Sequence, residues 1–229
     1  MPILATIGIL LLLAVLFGPQ WWVKHVLAKH GSDRPDLPGT GGELARHLLD
    51  EMKLTDVKVE VTDKGDHYDP EDRAVRLLPQ HHDGRSVSAV AVAAHEVSHA
   101  IQHDRADPAF IRRIELVKQL VWVHRLAMAV LLLLPWTGLW GKSPALAVLN
   151  FAAVIALLGI SVVVHAVTLP VEYDASFNKA LPVLKGRRYL SEHDMPAARS
   201  VLKAAAYTYV AAALATLLNI ARWARFFRI

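Results

Sequence analysis

Two histidines and a glutamate stand close together near the middle of the chain, in the order His95-Glu96-Val97-Ser98-His99. On an α-helix, residues four apart lie on one face, about one turn from each other. Two imidazoles placed in this way can bind one Zn²⁺ at about 2.0–2.1 Å. In such a motif the glutamate is the general base that acts on zinc-activated water. The spacing therefore predicts a catalytic zinc site with His95 and His99 as ligands and Glu96 as the base.

The residues before this motif indicate that its helix is buried. The run SVSAVAVAA contains only small or apolar residues, and Ser86 just before it is a suitable N-cap. We therefore predict a helix from Ser86 to about His103. A buried helix that carries two histidines and a glutamate is costly unless a metal or other partners satisfy these groups. The alternative interpretation is an ordinary helix with histidines on its surface.

A catalytic zinc site needs a third protein ligand and an open position for water. His103 lies four residues after His99, but an unbroken helix would place it about 12 Å along the axis from His95. Glu172 is the better candidate, because it is the first charged residue after a long uncharged block and should lie on the same side of a membrane as the motif. A glutamate at a membrane boundary could instead pair with a nearby lysine, and position alone leaves both roles open.

The composition predicts a membrane protein. Of the 229 residues, 54% are hydrophobic, and they are concentrated in four blocks with the charges between them. The net charge is +4, but many basic residues flank the apolar blocks. Membrane topology explains these residues at least as well as nucleic-acid binding, so no nucleic-acid partner is predicted. The chain has no cysteine, which excludes disulfides and cysteine-based zinc sites.

The apolar blocks predict several membrane spans. Residues 1–23 form the predicted N-terminal transmembrane anchor, with a cleaved signal peptide as the alternative. Residues 119–171 form a predicted transmembrane hairpin with a short tip. Residues 204–229 contain a C-terminal apolar helix that could either span the bilayer or pack against other helices. The basic residues of the polar regions place the catalytic face in the cytoplasm under the positive-inside rule, although arginines near the C-terminus conflict with this if the last helix spans.

The first polar region, residues 24–118, is predicted to be a cytoplasmic zincin-like region that holds the motif. Residues 39–52 predict an amphipathic helix that follows a glycine-rich start. Alternation of apolar and polar residues predicts a strand at 56–61 and a second strand at 74–78. The second strand is a candidate edge on which a substrate peptide could pair as an added strand, with a plain structural hairpin as the alternative.

The second polar region, residues 172–203, would carry the third metal ligand. It is predicted to be helical up to Leu184, with another helix starting near Asp194. The tetrahedral intermediate of peptide hydrolysis needs a stabilising group besides the metal. The sequence offers four candidates for this role and does not rank them: His193, Tyr207, Tyr189 and Arg187.

Four segments closely resemble the YugP-like neutral zinc metallopeptidases of bacterial membranes: GDHYDP, GRSVSAVAVAAHEVSHAIQH, LPVEYDAS and AAAYTYVAAALA. The resemblance covers nearly the whole chain after the first anchor, and its most specific part is AAHEVSHAIQ. More distantly, the chain looks like the HtpX and CAAX prenyl protease group, which shares the metal-binding helix and a later glutamate ligand. The resemblance implies zinc bound by His95, His99 and Glu172, with Glu96 catalytic.

The resemblance also suggests which residue supports the metal ligands. In the distant relatives an aspartate four residues after the ligand glutamate supports a zinc-bound histidine. That position here is Ser176, whereas Asp174 is only two residues after Glu172. Either side chain could support a ligand, and Asp174 is favoured. Ser98 stands where the family usually has glycine, and a residue this small still fits.

These observations predict a mainly α-helical, polytopic membrane protein with a zincin-like helix and a small β-hairpin or sheet on the cytoplasmic side. The predicted function is zinc-dependent endopeptidase activity on protein or peptide substrates, in a bacterial inner membrane and among membrane lipids. One alternative is a zinc hydrolase of non-peptide amides or lipids. Another is a non-catalytic membrane scaffold, against which the intact Glu96 argues, because a structural zinc site needs no general base.

Overall fold

The computed structural model describes residues 2–133, 143–187 and 189–207, which fold mainly into helices around a small sheet. The helices are α1 Pro2–Lys29, α2 Gly41–Glu51, α3 Pro79–His82, α4 Val87–Asp104, α5 Pro108–Leu133, α6 Pro144–Tyr173, α7 Leu181–Gly186 and α8 at 195–207, with a π-helical segment, Asp174–Ala180, between α6 and α7. The strands are β1 Lys58–Val61, β2 His67–Asp69 and β3 Ala74–Leu77. The predicted mainly helical fold with a small sheet is confirmed.

Helix α4 lies at the centre of the fold. Every residue from Val87 to Gln102 is buried, and the helix packs against α2, the sheet, the π-helical segment and α7. The predicted N-cap is confirmed, because the Ser86 hydroxyl accepts a hydrogen bond from the backbone N–H of Ala89 at 3.0 Å. The small residues of the run before His95 allow this close packing.

Helix α2 packs on α4 and holds its first half in place. Thr40 and Glu43 form a capping box at the start of α2, each side chain accepting a hydrogen bond from the other's backbone N–H. Gly41 allows the helix to approach α3 and α4 closely, because a Cβ at this position would lie 2.2 Å from the carbonyl oxygen of His81. The predicted amphipathic helix at 39–52 is confirmed in this position.

The three strands form one sheet in the order β1-β3-β2. Strand β1 pairs with β3 in parallel, and β2 pairs with β3 in antiparallel. Both predicted strands are present, but β3 is the central strand and both of its edges are occupied. The prediction of β3 as the edge for a substrate is therefore wrong, and among the described strands the edge beside the α4 motif is β2.

Helices α5 and α6 pack against each other along their length, as expected for a helical hairpin. Their outer surfaces expose large apolar side chains, including Trp122, Leu126, Val148 and Phe151. Within the described part of the chain, α5 is the one helix that is long and apolar enough to cross a membrane. Helix α6 contains a shorter apolar stretch, Pro144–Leu157. The further predicted spans stay predictions, and residues 208–229 of the last block lie outside the described residues.

Two helices extend beyond the predicted segment boundaries. Helix α1 continues past residue 23 as far as Lys29, and Val26 in its last turns is buried in the core. Helix α5 begins at Pro108, before the predicted hairpin at 119–171, and its first turns carry the charged residues Arg112, Arg113 and Glu115. The continuation of both helices brings their ends beside the α4 motif.

Candidate metal centre and active-site cleft

Three buried side chains bring one potential ligand atom each to a common point. Oε2 of Glu172 lies 3.1 Å from Nε2 of His95 and 3.3 Å from Nε2 of His99, and the two Nε2 atoms are 3.3 Å apart. The three residues are 2–5% exposed. The cluster could therefore hold a metal ion, and the structure brings together the three residues that were predicted as ligands.

These separations fit a tetrahedral zinc ion. Ligand atoms about 2.0–2.1 Å from such an ion lie roughly 3.3–3.4 Å from each other. Two imidazole nitrogens and one carboxylate oxygen, with one position left open, are a donor set of catalytic zinc sites. The two Nε2 lone pairs would repel each other at 3.3 Å without a cation or a proton between them. The positions of the side chains themselves therefore fit a bound cation.

The local fold explains why these side chains meet. His95 and His99 are one turn apart on the buried face of α4. Glu172 lies in the last turn of α6, directly before the π-helical segment that packs against α4. Burial would raise the pKa of Glu172, but His99 and His95 outweigh burial and hold this pKa well below its usual range. A lowered pKa favours the ionised carboxylate, which is the form that binds a metal.

The other ring nitrogen of His95 is oriented by Ser176. The Ser176 hydroxyl donates its proton to the carbonyl oxygen of Leu202 at 3.1 Å and lies 3.0 Å from Nδ1 of His95. Because its single proton is already used, the hydroxyl must accept a hydrogen bond from Nδ1–H. This contact fixes the tautomer of His95 that leaves the Nε2 lone pair for a metal.

His99 is oriented by Gln102, one turn later on the same helix. Oε1 of Gln102 accepts a hydrogen bond from Nδ1 of His99 at 2.8 Å. Its amide Nε2 donates to the carbonyl of Val171 at 3.0 Å and to Asp174 Oδ2 at 2.8 Å. This pattern assigns the amide orientation and again leaves Nε2 of His99 free for a metal.

Asp174, the favoured supporting residue, does not contact a metal-site histidine. Its carboxylate accepts hydrogen bonds from Gln102, Asn178 and Lys179. Asp174 therefore reaches His99 only through the Gln102 amide. Ser176, the other residue considered for this role, contacts His95 directly.

Glu96 is buried beside the metal-site histidines and lines the same cleft. Burial raises the pKa of its carboxyl to about 7, opposed by the charge of His95 and by a hydrogen bond from the Tyr68 backbone. A carboxyl group with a pKa near neutrality can both accept and return a proton in that pH range. This is the property that the predicted base needs.

The motif opens into a cleft of about 720 Å³. One wall is apolar and consists of Val23 and Leu27 from α1, Val92 from α4, and residues from the first turns of α5. Residues 65–71, which include all of β2, also line the cleft. The cleft is therefore bordered both by the start of the candidate membrane helix and by an edge strand of the sheet.

The predicted stabilisers of the tetrahedral intermediate lie away from this cleft. The His193 side chain is 98% exposed, and Tyr207 is 40% exposed. Arg187 and Tyr189 both contact Glu51 instead. None of these four described residues lines the cleft, so the geometry does not support this role for them.

Other polar residues take positions that sequence reasoning did not predict. His103, the rejected third ligand, lies outside the cluster and forms a hydrogen bond with the Tyr68 hydroxyl at 2.9 Å. Arg113 lines the cleft, with Nη1 3.4 Å from Oε1 of Glu172. Its position among basic residues that flank an apolar block suggested only membrane topology. The one-turn spacing of Gln102 from His99 is a signal that could have revealed its contact.

Comparisons with known proteins agree with these features. A family model described as "Putative neutral zinc metallopeptidase" matches residues 5–228 of the chain. The protein named "Putative membrane protease YugP" from Bacillus subtilis (strain 168) is 36% identical over 219 residues, which is 94% of this chain and 92% of that protein. No solved structure matches the chain. The family match includes every residue of the candidate metal centre.

Proposed function

This chain belongs to the neutral zinc metallopeptidase family, and from that premise we propose that it is an endopeptidase that hydrolyses peptide bonds beside a membrane. The observation that carries the proposal is the convergence of His95, His99 and Glu172 at a cleft that also contains the buried Glu96. Metal ligands without a neighbouring acid–base group are sufficient for a structural metal site. A hydrolytic site also needs a group that transfers protons, and Glu96 is such a group.

We assign the zinc ligands as His95, His99 and Glu172. Zinc, when bound, supplies a Lewis acid that polarises the scissile carbonyl and makes water more acidic. Glu96 takes a proton from the attacking water and returns it to the leaving amine. Ser176 and Gln102 hold the two imidazoles in the tautomers that ligation needs.

We place the substrate peptide along the outer edge of β2. Of the described strands, β2 is the edge strand that lines the cleft together with the motif. A peptide added to an edge strand gains backbone hydrogen bonds without regard to its sequence. The lining from α1 and α5 is mainly apolar, so an apolar side chain next to the scissile bond fits this part of the cleft.

We further propose that α5 and α6 anchor the cleft at a membrane. Helix α5 has the length and composition of a span, and the large apolar side chains on both helices face outward rather than into the core. The relative from Bacillus subtilis is named "Putative membrane protease YugP". The cleft would then lie at the membrane surface, on the side that the positive-inside rule assigns to the cytoplasm.

The first experiment is to measure zinc per chain in detergent-purified protein. We expect close to one zinc in the wild type, a clear loss in Glu172→Ala, and full zinc in Glu96→Gln. Full zinc in Glu172→Ala would remove the assigned third ligand. No zinc in the wild type after metal reconstitution would favour the alternative of a non-catalytic membrane scaffold.

The second experiment compares the hydrolysis of unstructured peptides with that of lipid amides. We expect peptide cleavage by the zinc-loaded wild type and its loss, by about 10²–10⁴-fold, in Glu96→Gln. Undiminished turnover by Glu96→Gln would exclude its role as the base. Cleavage of lipid amides alone would favour the alternative of a zinc hydrolase of non-peptide amides or lipids. The apolar residues that line the cleft are compatible with such substrates.

A further inference from the structure

We propose that Arg113 is a positioning residue of the metal centre, which holds one oxygen of Glu172 so that the other faces the metal. The inference rests on the ligands assigned above, but it does not depend on the identity of the substrate. It gives the first turns of α5 a function beyond anchoring the protein.

Arg113 lies on the face of α5 that forms the apolar wall of the cleft. Phe110, Ile114 and Val117 occupy the same face at helical spacing and line the cleft with it. The Phe110 ring stacks against His99, with ring centroids 6.0 Å apart and planes at 28°. The neighbouring Arg112 is exposed. The two adjacent arginines thus face different environments, and only Arg113 faces the metal centre.

The environment of Arg113 requires a negative partner. Its side chain is 22% exposed and lies among apolar residues, and a guanidinium in such surroundings is costly unless it is paired. Nη1 of Arg113 lies 3.4 Å from Oε1 of Glu172. Oε1 is buried and accepts no hydrogen bond from the described residues, and the Arg113 guanidinium is the positive charge that lies beside it.

The two oxygens of Glu172 therefore have different functions. Oε2 lies 3.1 Å and 3.3 Å from the histidine Nε2 atoms, whereas Oε1 points to Arg113. A carboxylate with one oxygen turned towards Arg113 presents the other oxygen to a metal.

The direct test is the zinc affinity of arginine variants, measured by competition with a chromogenic chelator. We expect Arg113→Met to bind zinc about 10–100-fold more weakly, the range seen when groups that orient metal ligands are lost. Arg113→Lys should be intermediate, because lysine keeps the charge but not the planar fork of donors. Arg112→Met, the matched control on the same helix, should bind zinc like the wild type. Equal affinities for wild type and Arg113→Met would overturn the proposal.

A double-mutant cycle shows whether Arg113 acts through Glu172. In a Glu172→Ala background, Arg113→Met should cause no further loss of zinc affinity. The same loss in both backgrounds would mean that Arg113 acts elsewhere and would overturn the inference. Reduced peptide cleavage with unchanged zinc affinity would make Arg113 a substrate contact and would equally overturn it.

The outcomes also separate this inference from the proposed function. A wild type that binds one zinc but cleaves no peptide would remove the endopeptidase proposal and leave the Arg113 result standing. If Arg113→Met does not fold, as judged by circular dichroism, Arg113→Lys against Arg112→Lys carries the comparison. Equal zinc affinities in that pair would overturn the positioning role.

Discussion

Ser176 accepts a hydrogen bond from Nδ1 of His95 at 3.0 Å and donates its own proton to the carbonyl of Leu202. The contact joins α4 to the π-helical segment and to α8, so the orientation of a metal-site histidine depends on three elements. A π-helical turn is rare and often occurs at a functional site. Here it follows directly after Glu172 and brings Ser176 to the ring of His95.

Replacement of Ser176 by alanine should weaken zinc binding by about 10-fold or more. The variant leaves Nδ1–H of His95 without its acceptor in a buried site, so the ring is no longer held in its metal-binding tautomer. Zinc affinity is measured by chelator competition. Ser98→Ala is the matched control, since the Ser98 hydroxyl is also buried but donates its hydrogen bond to the carbonyl of Ala94 on its own helix. Equal losses in both variants would contradict a specific role for Ser176.

Replacement of Gln102 by methionine should reduce zinc affinity by about 10–100-fold. It should also lower stability by roughly 1–3 kcal/mol, because the buried Nδ1–H of His99 loses its acceptor. Thermal unfolding of the zinc-free protein separates the stability effect from the effect on zinc.

Asp174→Asn tests whether Asp174 acts on the metal centre directly or only through its hydrogen bond with Gln102. An asparagine carbonyl can still accept the hydrogen bond from Gln102, so zinc affinity should stay close to that of the wild type. A loss as large as that of Gln102→Met would show that the Asp174 charge acts on the metal centre directly.

Features with a local cause could be predicted from the sequence. The start of α4 follows from the Ser86 hydroxyl, and β1 and β3 follow from the alternation of apolar and polar residues. The pair of ligands one turn apart is also local. These predictions needed only neighbours along the chain, and the structure agrees with them.

Features that depend on distant partners could not be predicted in this way. Strand β2 has three residues and pairs with β3, and no pattern along the chain predicted it. The sequence indicated only a role in membrane topology for Arg113, as one of the basic residues that flank an apolar block. Its partner Glu172 lies on another helix, so no local pattern could reveal the contact. Asp174 was favoured for its charge, but the path of the π-helical segment decides that Ser176 is the residue that reaches His95.

Gly41→Ala should destabilise the protein by about 1–3 kcal/mol through overpacking. The added Cβ would lie 2.2 Å from the carbonyl oxygen of His81 and 2.8 Å from that of Ala89, so α2 would have to move away from α4. Thermal unfolding checks this against Gly186→Ala, where an added Cβ meets no atom within 4 Å. Equal unfolding temperatures for the two variants would contradict the close approach.

The ion pair between Arg34 and Asp194 should make stability fall in acid. Asp194 accepts hydrogen bonds from Arg34 at 2.8 Å and from Ser191 at 2.6 Å, and these lower the pKa of its carboxyl from 3.8 to about 2. The native state then binds fewer protons than the unfolded state between these values, so this contribution is present above about pH 4 and is lost as the pH falls towards 2. Asp194→Asn removes it.

The measurement is the unfolding temperature of wild type and Asp194→Asn between pH 7 and pH 2.5. Both proteins are zinc-free, because protons also compete with zinc for the histidines. The wild type should be clearly more stable at neutral pH, and the difference should narrow below about pH 4 as the carboxylate gains its proton. Asp36→Asn is the control, since Asp36 also binds Arg34 but is exposed, and its effect should be smaller. A difference that stays constant down to pH 2.5 would show that Asp194 stabilises the fold by means other than its charge.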